Sequence, residues 1–178
     1  MNQMIAVVKN PQDLKYALSS KGEIIFMHRP NIKHLKDQME HIHKSGKKLF
    51  VYIDCAEGIG KDEYGVRYLK SLGVDGIIST QSKIIRFAKK IGIWGVHRFF
   101  IADLDSLKNA IDSTRSSKPD MIEILPGTVS KIIKYLKEEL NIPIVAGGLI
   151  ETKEEVIEAI VSGAGAVSTD KPALWEIW

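Results

Sequence analysis

Short apolar runs alternate with amphipathic stretches along the whole chain. The runs are Met4–Val8, Glu23–His28, Lys48–Asp54, Gly76–Thr80, Trp94–Phe99, Met121–Leu125, Ile144–Ala146 and Ala166–Ser168. Each is too short for a typical helix and many are rich in Val and Ile, so they read as strands. Between them, apolar positions recur at helical spacing. Helix starts are predicted at Asn10-Pro11, at Asn31 after Pro30, and at Asp62, Ser82, Asp103 and Thr152, residue types that cap orphan backbone N–H groups. Gly22, Gly46, Gly73, Gly92 and Gly163 stand just before strands, as expected of left-handed C-caps. Strand–helix–strand alternation without hairpin turns requires parallel pairing, because parallel neighbours need a crossover. Eight such repeats, uninterrupted by a linker, predict an α/β chain folded as a single compact (β/α)8 TIM-type barrel over residues 1–178. An open sheet of six or seven strands is the alternative. The chain is shorter than the ~200-residue lower end of such barrels, so its helices and loops must be brief.

One internal echo fits a barrel of two similar halves. Lys61-Asp62-Glu63 through Ser79-Thr80 resembles Lys153-Glu154-Glu155 through Ser168-Thr169, with the Ser-Thr pairs 169 − 80 = 89 residues apart. That spacing would put the pairs atop the fourth and eighth strands. The shared grammar of any two βα units explains the likeness equally well.

Composition narrows the class. Hydrophobic residues make up 44% and aromatics only 7%, which suits strands covered on both faces. A single cysteine, Cys55, allows no intramolecular disulfide and fits a reducing cytoplasm. Met1-Asn2-Gln3-Met4 carries no export signal, and no window holds the ~20 apolar residues of a membrane helix, so a soluble cytoplasmic protein without a membrane partner is expected. A formal charge of +3 permits an anionic partner without requiring one.

Candidate chemistry gathers near the strand ends. Ile142-Pro143-Ile144-Val145-Ala146-Gly147-Gly148 ends in two glycines whose N–H groups can approach an anion closely. Ser168 and Thr169 supply hydroxyls before a short carboxyl-terminal helix, where a phosphate would find further donors, although Asp170 before Pro172 would compete as a cap. Ser79 and Thr80 are placed nearby. Asp54 and Glu57, in a glycine-bounded polar loop, could accept hydrogen bonds from a polyol. Arg98 and Glu123 interrupt apolar strands, which points to an internal ion pair or to ligand contacts. His28 ends the second strand beside them. No metal site is expected, since His34, His41 and His43 lack ligand spacing. No glycine-rich dinucleotide loop or Gly-Lys-Ser/Thr motif is present, no catalytic triad can be assembled, and no cofactor is predicted.

Six segments in order resemble the glycerol-3-phosphate-responsive antiterminator family. They are Phe50-Val51-Tyr52-Ile53-Asp54 with Glu57-Gly58; Asp75-Gly76-Ile77-Ile78-Ser79-Thr80; Arg98 with Phe100; Lys118-Pro119-Asp120 through Glu123 and Leu125-Pro126-Gly127; Ile142-Pro143 through Ala146-Gly147-Gly148-Leu149-Ile150; and Ala166-Val167-Ser168-Thr169 with Leu174-Trp175. Tyr52 departs from the histidine that the resemblance implies there, and Cys55-Ala56 from bulkier aliphatics. The resemblance implies a barrel, not an enzyme, that senses glycerol 3-phosphate or a similar polyol phosphate and binds a leader mRNA to prevent transcription termination. On that reading Gly147, Gly148, Ser168 and Thr169, with Ser79 and Thr80, hold phosphate. Asp54, Glu57, Arg98 and Glu123 read the polyol and order the loops.

RNA contacts would fall on basic helix faces, Lys83, Arg86 and Lys90 on one and Lys131, Lys134 and Lys137 on another, which ordinary solvated faces also explain. Trp175 and Trp178 could stack on bases, seal the barrel floor or join a homo-oligomer interface. Two competing expectations remain. One is a small barrel isomerase or lyase acting on a sugar or polyol phosphate with Asp54 and Glu123 as acid and base. The other is a metabolite-binding barrel without RNA contact.

Overall fold

The structure, a computed structural model, describes residues 3–177; Met1, Asn2 and Trp178 lie outside the described residues. Eight parallel strands close into one barrel: β1 (Gln3–Val8), β2 (Ile24–Met27), β3 (Lys48–Tyr52), β4 (Gly76–Ser79), β5 (Trp94–Phe100), β6 (Met121–Leu125), β7 (Ile144–Gly147) and β8 (Ala166–Thr169). Pairing of β1 with β8, Ile5 opposite Ser168, completes the ring. Seven helices follow the first seven strands: α1 (Pro11–Ser19), α2 (Leu35–Lys44), α3 (Glu63–Ser71), α4 (Ser82–Lys90), α5 (Leu104–Ser117), α6 (Ser130–Glu139) and α7 (Lys153–Val161). The open-sheet alternative is excluded by this closure.

Side-chain alternation along each strand builds two cores. Ile5, Val7, Phe26, Phe50, Tyr52, Ile78, Val96, Met121, Val145 and Ala166 fill the barrel interior. The alternate positions, such as Ile77, Ile122 and Val167, pack outward against the helices. Inside, Phe26 and Phe50 stack with ring centroids 5.7 Å apart. Gly76 makes room for them: a Cβ there would lie 2.4 Å from the Phe50 ring.

Most of the predicted caps form. Asn10 and Asp62 accept the backbone N–H three residues on, while Asp103 with Ser106 and Thr152 with Glu155 make reciprocal capping boxes. Two expectations are corrected. Asn31 folds into a turn that accepts from the Lys33 amide, leaving His34 as the N-cap of α2, and Ser82 lies inside α4 with Gln81 before it. Gly46, Gly73, Gly92 and Gly163 adopt positive φ after their helices, but Gly22 does not. Gly22 is required by a close approach instead, since its Cβ would meet the Met4 carbonyl at 2.5 Å.

The two Ser-Thr pairs do end opposite strands, yet they are out of phase. Ser168 alternates with Val167 and shares the inward face of Ala166, whereas Ile78 faces inward and puts Ser79 on the other face of β4. The expected carboxyl-terminal helix is only a 3-10 turn over Pro172–Leu174. Trp175 after it is 2% exposed, packs in the outer core that includes Leu14 and Ala17 of α1, and donates its indole N–H to the Thr169 carbonyl at 2.8 Å. It is therefore closed to base stacking. Among the described residues no helix is long and apolar enough to cross a membrane.

Gly76→Ala is expected to lower stability by about 1–3 kcal/mol through overpacking against Phe50. Urea unfolding measures this, and an unchanged midpoint would contradict the packing described.

Candidate functional site

Above the apolar layers, a polar layer opens at the carboxyl ends of the strands. It lines a cavity of about 240 Å³ that includes His28, Tyr52, Arg98, Glu123, Ser168 and Thr169. Strand alternation delivers the inward members: Tyr52, Arg98, Glu123 and Ser168 follow interior residues by two positions on β3, β5, β6 and β8.

Glu123 is the centre of this layer. It is 1% exposed, and its Oε1 accepts hydrogen bonds from the Tyr52 hydroxyl and the Ser168 hydroxyl, each at 2.8 Å. Its Oε2 lies 3.4 Å from Arg98 Nε, and neither of these two buried atoms has a hydrogen-bond partner among the described residues. The Arg98 guanidinium sits between two rings, 4.8 Å from the Tyr52 centroid and 4.7 Å from that of Phe100. Burial pushes the Glu123 carboxyl above the ordinary carboxylate range, while Arg98 and the two hydroxyls pull it back down. Burial, reinforced by the Glu123 charge, also holds the Tyr52 phenol well above its usual value, so it remains a donor. Gly147 backs this cluster. A Cβ there would lie 2.5 Å from Ser168 Oγ and 2.8 Å from Glu123 Oε1.

The rim is glycine-shaped and carries two lysine–carboxylate pairs. Gly148 and Leu149 take successive positive φ values of 74° and 59°, and Leu149 is 73% exposed. A non-glycine residue in this region is uncommon and marks a backbone held by its surroundings. The Gly127 amide donates to the Gly147 and Gly148 carbonyls, which ties the β6 loop to the β7 loop. Lys9 is paired with Asp170, and Lys171 with Glu151 at 3.4 Å. The Lys9 hydrogen bond holds the Asp170 carboxyl below its usual range. Burial lowers the pKa of His28, and the charges of Arg98, Lys9 and Arg29 lower it further, so its imidazole is neutral at pH 7.

The sequence candidates divide. Gly148, Ser168, Thr169, Arg98 and Glu123 line the cavity, and Gly147 supports it. Ser168 turns its hydroxyl to Glu123, while Thr169 donates to the Ile150 carbonyl. Ser79, Thr80 and Asp54 form a separate cluster. Asp54 follows β3 in a 3-10 turn, where it accepts from Ser79 Oγ at 2.7 Å, the Thr80 amide at 2.7 Å and Thr80 Oγ1 at 3.1 Å. These three residues pin β3 to the β4 loop outside the cavity, and so the acid/base pair of Asp54 with Glu123 is not assembled. Glu57 lies outside it too, accepting from Asn31 Nδ2 at 2.9 Å. Asp170 makes no helix cap. Lys9 and Lys171 escaped the sequence reading, since a lysine after a strand looks like any surface lysine. Among the described residues no cluster suits a metal ion.

The sequence profile described as "Glycerol-3-phosphate responsive antiterminator" matches residues 4–175. The chain belongs to this antiterminator family. It is 34% identical over 177 residues to YgcP, an uncharacterized protein of Escherichia coli K12, covering 99% of this chain and 93% of YgcP. It superimposes on the glycerol uptake operon antiterminator regulatory protein of Listeria monocytogenes with a TM-score of 0.92, at 32% identity over 97% of this chain and 94% of the other. A glycerol uptake operon antiterminator-related protein of Thermotoga maritima matches with a TM-score of 0.88, at 30% identity over 98% of both chains. In this antiterminator barrel, then, the polar layer around Glu123 is built on a buried charge pair.

That pair has a measurable signature. Arg98→Met leaves the Glu123 carboxylate buried and unpaired, so stability should fall by about 3–5 kcal/mol at neutral pH. A carboxyl whose folded pKa is raised stabilises the fold in its protonated form, and that contribution is lost as pH rises through the folded value. The loss in Arg98→Met should therefore be smaller at mildly acidic pH, and adding Glu123→Gln should restore most of it. Denaturant unfolding of both variants decides; a pH-independent loss without rescue would contradict the ion pair.

Proposed function

We propose that this antiterminator binds glycerol 3-phosphate, or a polyol phosphate of similar size, in the cavity and couples that binding to a leader RNA. The observation that carries the ligand assignment is the division of one small cavity into two chemistries. The rim offers the backbone of the Gly148–Leu149 turn, Lys9 and Lys171, a set suited to a phosphate dianion. Across it, the Arg98 and Glu123 side chains form a polar wall suited to the hydroxyls of a polyol. At about 240 Å³ the cavity is smaller than the ~300–1,000 Å³ pockets of drug-sized molecules, in keeping with a three-carbon phosphate.

The same rim supports a response. Lys9 and Lys171 are each held by a carboxylate, Asp170 and Glu151. An arriving dianion competes for both ammonium groups and frees both carboxylates, which sit on the loops after β8 and β7. A ligand shifts a protein between two states only by such a difference in contacts. For RNA, Lys83, Arg86 and Lys90 on α4 and Lys131 and Lys134 on α6 are exposed and form no ion pair among the described residues, leaving them open to phosphates.

Titration of the protein with glycerol 3-phosphate and with glycerol should show clear preference for the phosphate; equal responses would remove the phosphate assignment. Gly148→Asp should abolish phosphate affinity, because it adds an anion at the rim and its Cβ would meet Leu125 Cδ2 at 2.9 Å. A folded variant that binds normally would contradict the rim's role. Leader-RNA binding at two salt concentrations should weaken steeply as salt rises.

A further inference from the structure

The outer surface over α5, α6 and α7 carries two apolar features side by side. The first is a groove of about 460 Å³ between α5 and α6. Leu104, Leu107, Lys108 and Ile111 line it from α5, at the i, i+3, i+4, i+7 spacing of one helix face. Lys131, Ile132 and Tyr135 line it from α6. The charged lining is thus two lysines, neither of which forms an ion pair among the described residues. The second feature is the outward stripe of α7, Glu154, Ile157, Glu158 and Val161, which repeats the spacing of the α5 face with acids in place of lysine; Lys153 stands at its margin. Leu104 and Val161 are each 82% exposed, and Tyr135 and Ile157 are exposed as well. Large apolar side chains gathered in water on one face mark an interaction surface.

We propose that this face joins two copies of the chain, the α7 stripe of each lying in the α5–α6 groove of the other. α6 stands between the two features: Arg115 of α5 pairs with Glu139 of α6 at 3.3 Å, and the Ser130 hydroxyl of α6 donates to Glu158 of α7. A two-fold axis running along α6 therefore exchanges groove and stripe and uses every contact twice, as an isologous dimer requires. An axis in that direction also keeps each residue at its own level along the helices. Glu154 and the other copy's Lys131, each in the first turn of its helix, then meet across the interface. One and two turns further on, Ile157 and Val161 reach Leu107 and Ile111, with Glu158 level with Lys108. Charge selects this pairing, since groove against groove would oppose lysines and stripe against stripe would oppose carboxylates. Lys131 is thereby committed to the interface, which leaves Lys83, Arg86, Lys90 and Lys134 for RNA.

Sedimentation velocity of the whole protein over a concentration series tests this. Wild type should form a dimer that dissociates on dilution. Leu104→Glu brings a carboxylate against the stripe's acids, and Val161→Lys brings an ammonium against the groove's lysines. Both positions are exposed, so each variant should keep the wild-type unfolding midpoint and lose the dimer. Lys131→Glu should weaken association about tenfold, and adding Glu154→Lys in the same chain should restore it. A wild type that is monomeric at every concentration overturns the proposal, as does a dimer untouched by both Leu104→Glu and Val161→Lys. Loss of the dimer with Leu104→Glu alone overturns α7 as the occupant of the groove.

Discussion

A carboxylate buried inside a barrel must be compensated, and the arrangement of Glu123 answers that demand. Tyr52 and Ser168 satisfy one oxygen, Arg98 faces the other, and Gly147 keeps a side chain out of the space between them. These contacts join β3, β5, β6, β7 and β8 across the interior. The same constraint leaves one carboxylate oxygen and one guanidinium nitrogen buried beneath the cavity, facing each other without a hydrogen-bond partner among the described residues.

The rim works by different physics. Its lysines are neutralised by one half-buried and one exposed carboxylate, pairs that contribute little to stability in water and exchange partners readily. The interior pair is poorly screened and fixed in place. A phosphorylated polyol of the kind proposed above, bridging the two, would meet a rigid end and a yielding end.

Much of the fold was legible because barrels repeat one grammar. Alternating short apolar runs, the Asn10, Asp62, Asp103 and Thr152 caps and four of the five glycine stops each mark a boundary by local chemistry alone. Arg98 and Glu123 were legible as charges inside apolar runs. Asp54, Ser79 and Thr80 were not, because their places depend on which face of a strand each residue takes. β3 ends at Tyr52, the 3-10 turn then redirects Asp54, and Ser79 falls one step out of phase with Ser168. A shift of one residue exchanges inside for outside, and nothing in the residue types reports it.

Ser168 and Thr169 hold three distant segments: Glu123 through a hydroxyl, the β7 loop at Ile150 through another, and the tail through the Trp175 indole. All three contacts await β8, the strand that closes the ring. On the ribosome, where chains emerge from the amino end, the earlier strands can collect while Glu123 still lacks its serine donor. A nascent chain therefore completes the polar cavity around Glu123 in the same step that seals the barrel.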